Sequence, residues 1–241
     1  MRRVFVPRDG EHLLVDADYS QIELRVLAHM ADEKNMIDAF LKGEDIHART
    51  AAEVYGVPLD EVTPQMRSSA KAVNFGIVYG ISDFGLAKNI GVSRKEAREF
   101  IEKYFARYPR IKEYMESCER QGHEQGYVTT LFGRRRNLPE LSSSNYQTRS
   151  FGERAAMNTP IQGTAADIIK IAMVRVADAL RREGLEAKLI LQVHDELIVD
   201  APKDEAERVS ALLKNEMENA VQMQVPLTVE VKTGRSWYET K

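Results

Sequence analysis

Two apolar runs at opposite ends of the chain each deliver an aspartate, and that placement constrains the fold more than any other feature. Leu13-Leu14-Val15-Asp16-Ala17-Asp18 reads as a strand whose alternation sets Leu14, Asp16 and Asp18 on one face. Residues 188–193 and 197–199 are strand-like runs flanking His194-Asp195-Glu196, a hairpin with charged residues at its tip. Residues 227–231 read as one more strand. Nearly everything between is patterned as helix, so the strands must meet across a long helical insertion. The fold class is therefore α+β: mostly helical, with a small antiparallel sheet drawn from both ends.

Local signals place the helices. A helix should follow Asp18, with Ile22, Val26 and His29-Met30 on its buried side, and Gly43 and Asp45 mark a break. The next runs over 46–55 and ends at Gly56. Thr63-Pro64 supplies an N-cap and a proline at the first helical position of a helix reaching Tyr79, with Gly80 as its stop. Ser93-x-x-Glu96 is a capping box. It opens a helix carrying Ala97, Phe100, Ile101, Tyr104 and Phe105 to Pro109, and another continues to about Gly122. Residues 127–131 read as a short strand, with Arg134-Arg135-Arg136 in the loop after Gly133. A helical stretch over 150–182 should break or kink at Pro160. A last helix is expected over 204–221.

Charge excludes one easy reading. The net charge is −3, so the molecule as a whole does not advertise nucleic-acid binding, and any such binding must use local basic patches. The single cysteine, Cys118, rules out a disulfide framework and fits a reducing, cytoplasmic compartment. No window resembles a signal peptide or a membrane span.

Three constellations carry chemistry. Asp18 and Asp195 sit against apolar flanks, where an uncompensated carboxylate costs several kcal/mol and a divalent cation compensates well. Two such carboxylates on one sheet suit a pair of Mg²⁺ ions, although each aspartate taken singly could equally cap a turn. Arg67, Lys71, Phe75 and Tyr79 recur every fourth residue, so two cations and two aromatics share a helix face. A nucleoside triphosphate has that polarity, phosphates at one end and a flat base at the other; an amphipathic helix with two core aromatics reads the same way. Arg154, Asn158 and Gln162 form a second four-spaced stripe of long hydrogen-bonding side chains. It suits the minor-groove acceptors common to all base pairs, or a solvated face.

Together these segments resemble a known family. Asp18-Tyr19-Ser20-Gln21-Ile22-Glu23-Leu24-Arg25 is similar to motif A of family A DNA polymerases of the bacterial DNA polymerase I type. Arg67-x3-Lys71-x3-Phe75-x3-Tyr79-Gly80 resembles motif B, and Val193-His194-Asp195-Glu196 resembles motif C, in the family's order. Asp45-Ile46-His47, Gly133-Arg134-Arg135-Arg136 and Thr159-Pro160-Ile161-Gln162-Gly163-Thr164 also match stretches of the bacterial enzymes.

The resemblance implies roles. Asp18 and Asp195, with the Tyr19 carbonyl, would hold two Mg²⁺ ions, and Glu196 would lie beside them. Arg67, Lys71 and His47 would contact the triphosphate, and Lys71 would protonate the departing pyrophosphate. Phe75 and Tyr79 would shape the nucleotide pocket, and Glu23 would exclude a 2′-OH. Gln21, Arg154, Asn158, Gln162 and His194 would line the primer terminus and its minor groove. The implied architecture is a palm (1–28 and 150–241) interrupted by helical fingers (29–149). The implied partners are primer-template DNA and deoxynucleoside triphosphates, with no membrane and no obligate protein partner, in a bacterial cytosol. The family's thumb and first palm segment lie ahead of motif A, whereas here motif A begins at residue 18 of 241. Weak, salt-sensitive DNA binding and slow, distributive extension are therefore expected. Two rivals use the same residues: a two-metal nuclease, which needs no triphosphate cradle, and a module that binds nucleotide or DNA without turnover.

Overall fold

The computed structural model describes residues 1–241 and divides into two compact units. One comprises Met1–Ile22 and Ala165–Lys241; the other is Glu23–Thr164. The first contains a four-stranded antiparallel sheet made of β1 (His12–Tyr19), β4 (Lys188–Val193), β5 (Glu196–Pro202) and β6 (Val229–Gly234), in the order β4-β5-β1-β6. The two central strands, β1 and β5, are buried along most of their length, which explains their near-continuous apolar runs. Helix α9 (Ala206–Glu218) packs on β1 and β6 through Val209, Leu212, Leu213 and Met217, one face at helical spacing. Trp237 closes over Leu14 and Ile198 and meets Phe5 edge-on.

The second unit is helical. It holds most of α1 (Ile22–Met30), then α2 (Lys34–Leu41), α3 (Ile46–Tyr55), α4 (Pro64–Val78), α5 (Asp83–Ile90), α6 (Arg94–Arg107) and α7 (Pro109–Gln125). Thr63 caps α4 by accepting from the Met66 N–H, and Ser93 with Glu96 completes the capping box of α6. Such caps are worth about 1 kcal/mol each. Gly56 ends α3 in the left-handed conformation. The buried Asn74 amide bonds to both His47 and the Thr50 hydroxyl, tying α4 to α3.

Four sequence expectations need correction. The chain after β1 forms two helices rather than one: Asp32, at φ 51°, turns it between α1 and α2. Residues 83–90, which the sequence reading leaves unassigned, form helix α5, capped by the Ser82 hydroxyl accepting from the Gly85 N–H and ended by Gly91. The arginine run is loop only at Arg134. Arg135 and Arg136 lie on β3 (Arg135–Asn137), paired with β2 (Tyr127–Thr129) in a two-stranded ribbon. Arg135 stacks on Tyr127, and Arg136 donates to the Thr159 hydroxyl. Finally, α8 (Tyr146–Arg182) runs unbroken through Pro160. Proline removes one N–H from the ladder at a cost of ~3 kcal/mol. Ala155, Ala156, Pro160 and Ile161 are all buried, and this packing outweighs the lost bond. Thr164 also donates its hydroxyl to the Pro160 carbonyl.

Candidate active site

The sheet unit gathers carboxylates by register. Asp18 stands opposite Glu196 in the β1–β5 ladder, and Asp195 is the next residue back, at the tip of the β4–β5 hairpin. The Tyr19 N–H donates to the Asp195 carbonyl at 3.1 Å, so the end of β1 is pinned to that tip. Asp16 lies one pleat earlier on the same face as Asp18 and is 2% exposed. Burial and the neighbouring Asp18 charge push the Asp195 carboxyl above its ordinary range. Burial raises Glu196 as well, against the opposing pull of Lys241. This is a site short of positive charge.

Sequence reasoning missed the cation already present. The Lys241 ammonium contacts Asp16 at 3.2 Å and Asp18 at 3.3 Å, and pairs with Glu196. No local pattern could have found it, because Lys241 lies 223 positions from Asp18. Tyr19 is anchored through its buried hydroxyl, which donates to the Met217 carbonyl at 2.7 Å. Gln21 and His194 bracket the cluster in sequence, and both are held at positive φ, 56° and 50°. Only three non-glycine residues adopt that conformation, which costs roughly 1–2 kcal/mol, and two of the three flank this cluster.

The helical unit carries the cationic-aromatic stripe. Arg67, Lys71 and Phe75 lie on α4, and Tyr79 is its C-terminal cap. Gly80 follows at φ 64°, and a side chain there would strike Met157 and Arg154. Arg67 donates to the Asp45 carboxylate at 2.6 Å, and the same carboxylate caps α3 through the His47 and Ala48 N–H groups. Both partners of the ion pair are partly exposed, so an incoming anion could take the place of Asp45. The Lys71 ammonium is exposed and lies 5.9 Å from the Phe75 ring centroid.

Beyond Phe75 the polar groups form a chain. Gln162 donates to the Tyr79 hydroxyl at 2.9 Å, and that hydroxyl donates to the Glu23 carboxylate at 3.3 Å. Asn158 donates to the Val78 carbonyl, meeting one of the orphan acceptors at the end of α4. Arg154 turns back to the Ser150 hydroxyl. The second four-spaced stripe thus touches the end of the first. A separate acid–histidine grouping, Glu119, His123 and Glu153, lies elsewhere in this unit, at the surface.

His47 is 2% exposed and packs against Phe75, with ring centroids 5.8 Å apart. Burial is the main cause that lowers its pKa from 6.5 to about 4; Arg67 and Lys71 add to this, and Asp45 opposes it. The folded protein therefore binds fewer protons at His47 than the unfolded chain between those two values. Stability from this group is full above pH 6.5 and is lost as pH falls to about 4. On the order of 3 kcal/mol should go across that window. Urea denaturation of the parent and of His47→Gln at several pH values measures it; an equal acid loss in both would remove His47 as the cause.

The whole chain has close relatives. Residues 1–239 match the family description "DNA polymerase family A". The chain is 57% identical over 241 residues to DNA polymerase I of Caldicellulosiruptor bescii and 54% identical to that of Bacillus subtilis. Each alignment takes in all of this chain but only 28% and 27% of the relative, so the chain spans little more than a quarter of their length. Among solved structures it is similar to the polymerase domain of Pol1 from M. smegmatis in complex with DNA primer-template and dNTP. The TM-score is 0.94 at 45% identity, covering 99% of this chain and 42% of that one.

Proposed function

The chain belongs to DNA polymerase family A, and from that premise we propose that it performs template-directed DNA synthesis, joining deoxynucleoside triphosphates to a primer 3′-OH. The observation that carries this reading is the strand register that sets Asp18 opposite Glu196, with the Asp195 hairpin tip pinned to the end of β1 beside them, so that three acids gather at one place. Such a donor set suits hard divalent cations. Asp18 and Asp195, with the Tyr19 carbonyl, would hold two Mg²⁺ ions. When bound, these supply activation of the primer hydroxyl and neutralisation of the triphosphate.

The remaining roles fall to the protein. Arg67 exchanges Asp45 for triphosphate oxygens, and Lys71 binds the same phosphates and protonates the pyrophosphate as it leaves. His47, neutral at physiological pH, packs behind Phe75 and offers a ring nitrogen rather than a charge to the phosphates. Phe75 and Tyr79 wall the sugar and base. Glu23 fills the space that a 2′-OH would need. Gln21, His194, Arg154, Asn158 and Gln162 hold the primer terminus and minor groove. In this reading 1–28 and 150–241 are palm and 29–149 are fingers. Primer-template and dNTP, bound in the similar M. smegmatis domain, are the proposed partners.

Primer extension by this chain tests the reading. With saturating primer-template at low salt, incorporation should follow the template, and DNA binding should weaken steeply as salt rises. Nucleotide binding without incorporation would favour the non-catalytic module. Strand degradation without nucleotide would favour the nuclease.

A further inference from the structure

Lys241 pairs with two carboxylates, Asp16 and Glu196, that are not the proposed cation ligands, and also touches Asp18, which is one. Asp16 is 2% exposed and Glu196 5%, and each keeps one oxygen, Asp16 Oδ1 and Glu196 Oε1, with no hydrogen-bond partner. Burying two such carboxylates side by side is costly unless a cation accompanies them. Lys241 pairs with both, and the Thr240 hydroxyl donates to Asp16 at 2.7 Å and orients it. Beside them is a cavity of about 90 Å³ lined by Asp16, Asp18, Glu230, Lys232, Thr240 and Lys241. That volume exceeds what a single water needs. Without the ammonium, the space and two acids would make a cation site of their own.

We propose that Lys241 is the resident counter-cation of Asp16 and Glu196, and that by occupying this pair it confines divalent cations to Asp18 and Asp195. Lys241 is a positioning residue. Its tether keeps a fixed positive charge where a free metal ion would otherwise settle one pleat away from the reacting position. Its 3.3 Å contact with Asp18 also draws that carboxylate toward Asp16, setting which oxygens remain for a cation. The proposal rests on reading Asp18 and Asp195 as the cation ligands, so the two are tested with separate variants.

The probe is Mn²⁺, followed by calorimetric titration and by the electron-spin signal of the free ion, with thermal melting in EDTA and in Mn²⁺. Asp18→Asn tests the ligand reading alone: it should weaken Mn²⁺ binding by tenfold or more, and unchanged binding would end that reading. Lys241→Met should bind one additional Mn²⁺ per chain. It should melt roughly 10 °C below the parent in EDTA and recover most of that difference in Mn²⁺. Lys241→Arg should behave as the parent, and so should Lys232→Met, which removes a cavity-lining charge that pairs with neither acid. A Lys241→Met protein with parental Mn²⁺ stoichiometry overturns the proposal, whether or not it is destabilised. Should Lys241→Met fail to fold in either buffer, Asp16→Asn and Glu196→Gln are added to it. Recovery of folding shows that the lysine was neutralising these two acids; continued failure overturns the idea.

Discussion

Asp195→Asn is expected to reduce nucleotide incorporation by on the order of 10³-fold, about 4 kcal/mol, while leaving the protein folded. The substitution keeps the size and shape of the side chain at the hairpin tip but removes one charge from the Asp18–Asp195 pair. Under the proposed reading, metal binding loses a charged ligand, so the catalytic cost is large. Folding loses an unfavourable term, because the Asp195 carboxyl is raised by burial and by Asp18. A carboxyl raised in the folded state weakens stability as pH climbs through its value, so the amide should melt no lower than the parent at pH 8 without metal. Single-turnover incorporation at saturating DNA, with melting in EDTA, reads both effects. Incorporation within tenfold of the parent would remove Asp195 from the chemistry. A much lower melting temperature would mean that its role is structural.

Glu23→Ala is expected to relax sugar discrimination by roughly 100-fold, about 3 kcal/mol in the ratio of kcat/KM for deoxyribo- over ribonucleotides. Glu23 is not a loose surface acid. The Tyr79 hydroxyl donates to it, and Gln162 donates to Tyr79 in turn. A carboxylate held from behind excludes a 2′-OH by bulk, whereas a mobile one would swing aside. Deoxyribonucleotide use should fall only modestly, because no attraction to deoxyribose is lost. Tyr79→Phe should show a smaller relaxation in the same direction, since it frees Glu23 without shortening it. An unchanged ratio in Glu23→Ala would place the residue outside the pocket.

Much of this protein was legible from local pattern. The capping box at Ser93, the Thr63-Pro64 start and the Gly56 stop are short-range devices, and they appear where the sequence puts them. The central strands β1 and β5 were equally readable, because central strands bury continuous apolar runs, whereas the edge strand expected over 227–231 forms as Val229–Gly234. The four-residue steps of Arg67, Lys71 and Phe75 required one face of one helix by geometry alone. Sequence order and spacing thereby determined the fold class and nominated the chemical groups.

Tertiary structure decided what those groups touch. Asp18 meets Asp195 only because β1 pairs with β5 in one register, and a slip of one residue would turn Asp18 to the other face. Pro160 stays within α8 because buried neighbours on its face outweigh a missing hydrogen bond, a balance that no helix propensity expresses. Arg67 rests on Asp45, and Lys241 rests on Asp16, Asp18 and Glu196. Ion pairs of this kind leave no spacing in the sequence. Their partners are chosen by which surfaces the packed chain brings within a few ångströms, and by the high cost of burying a charge alone.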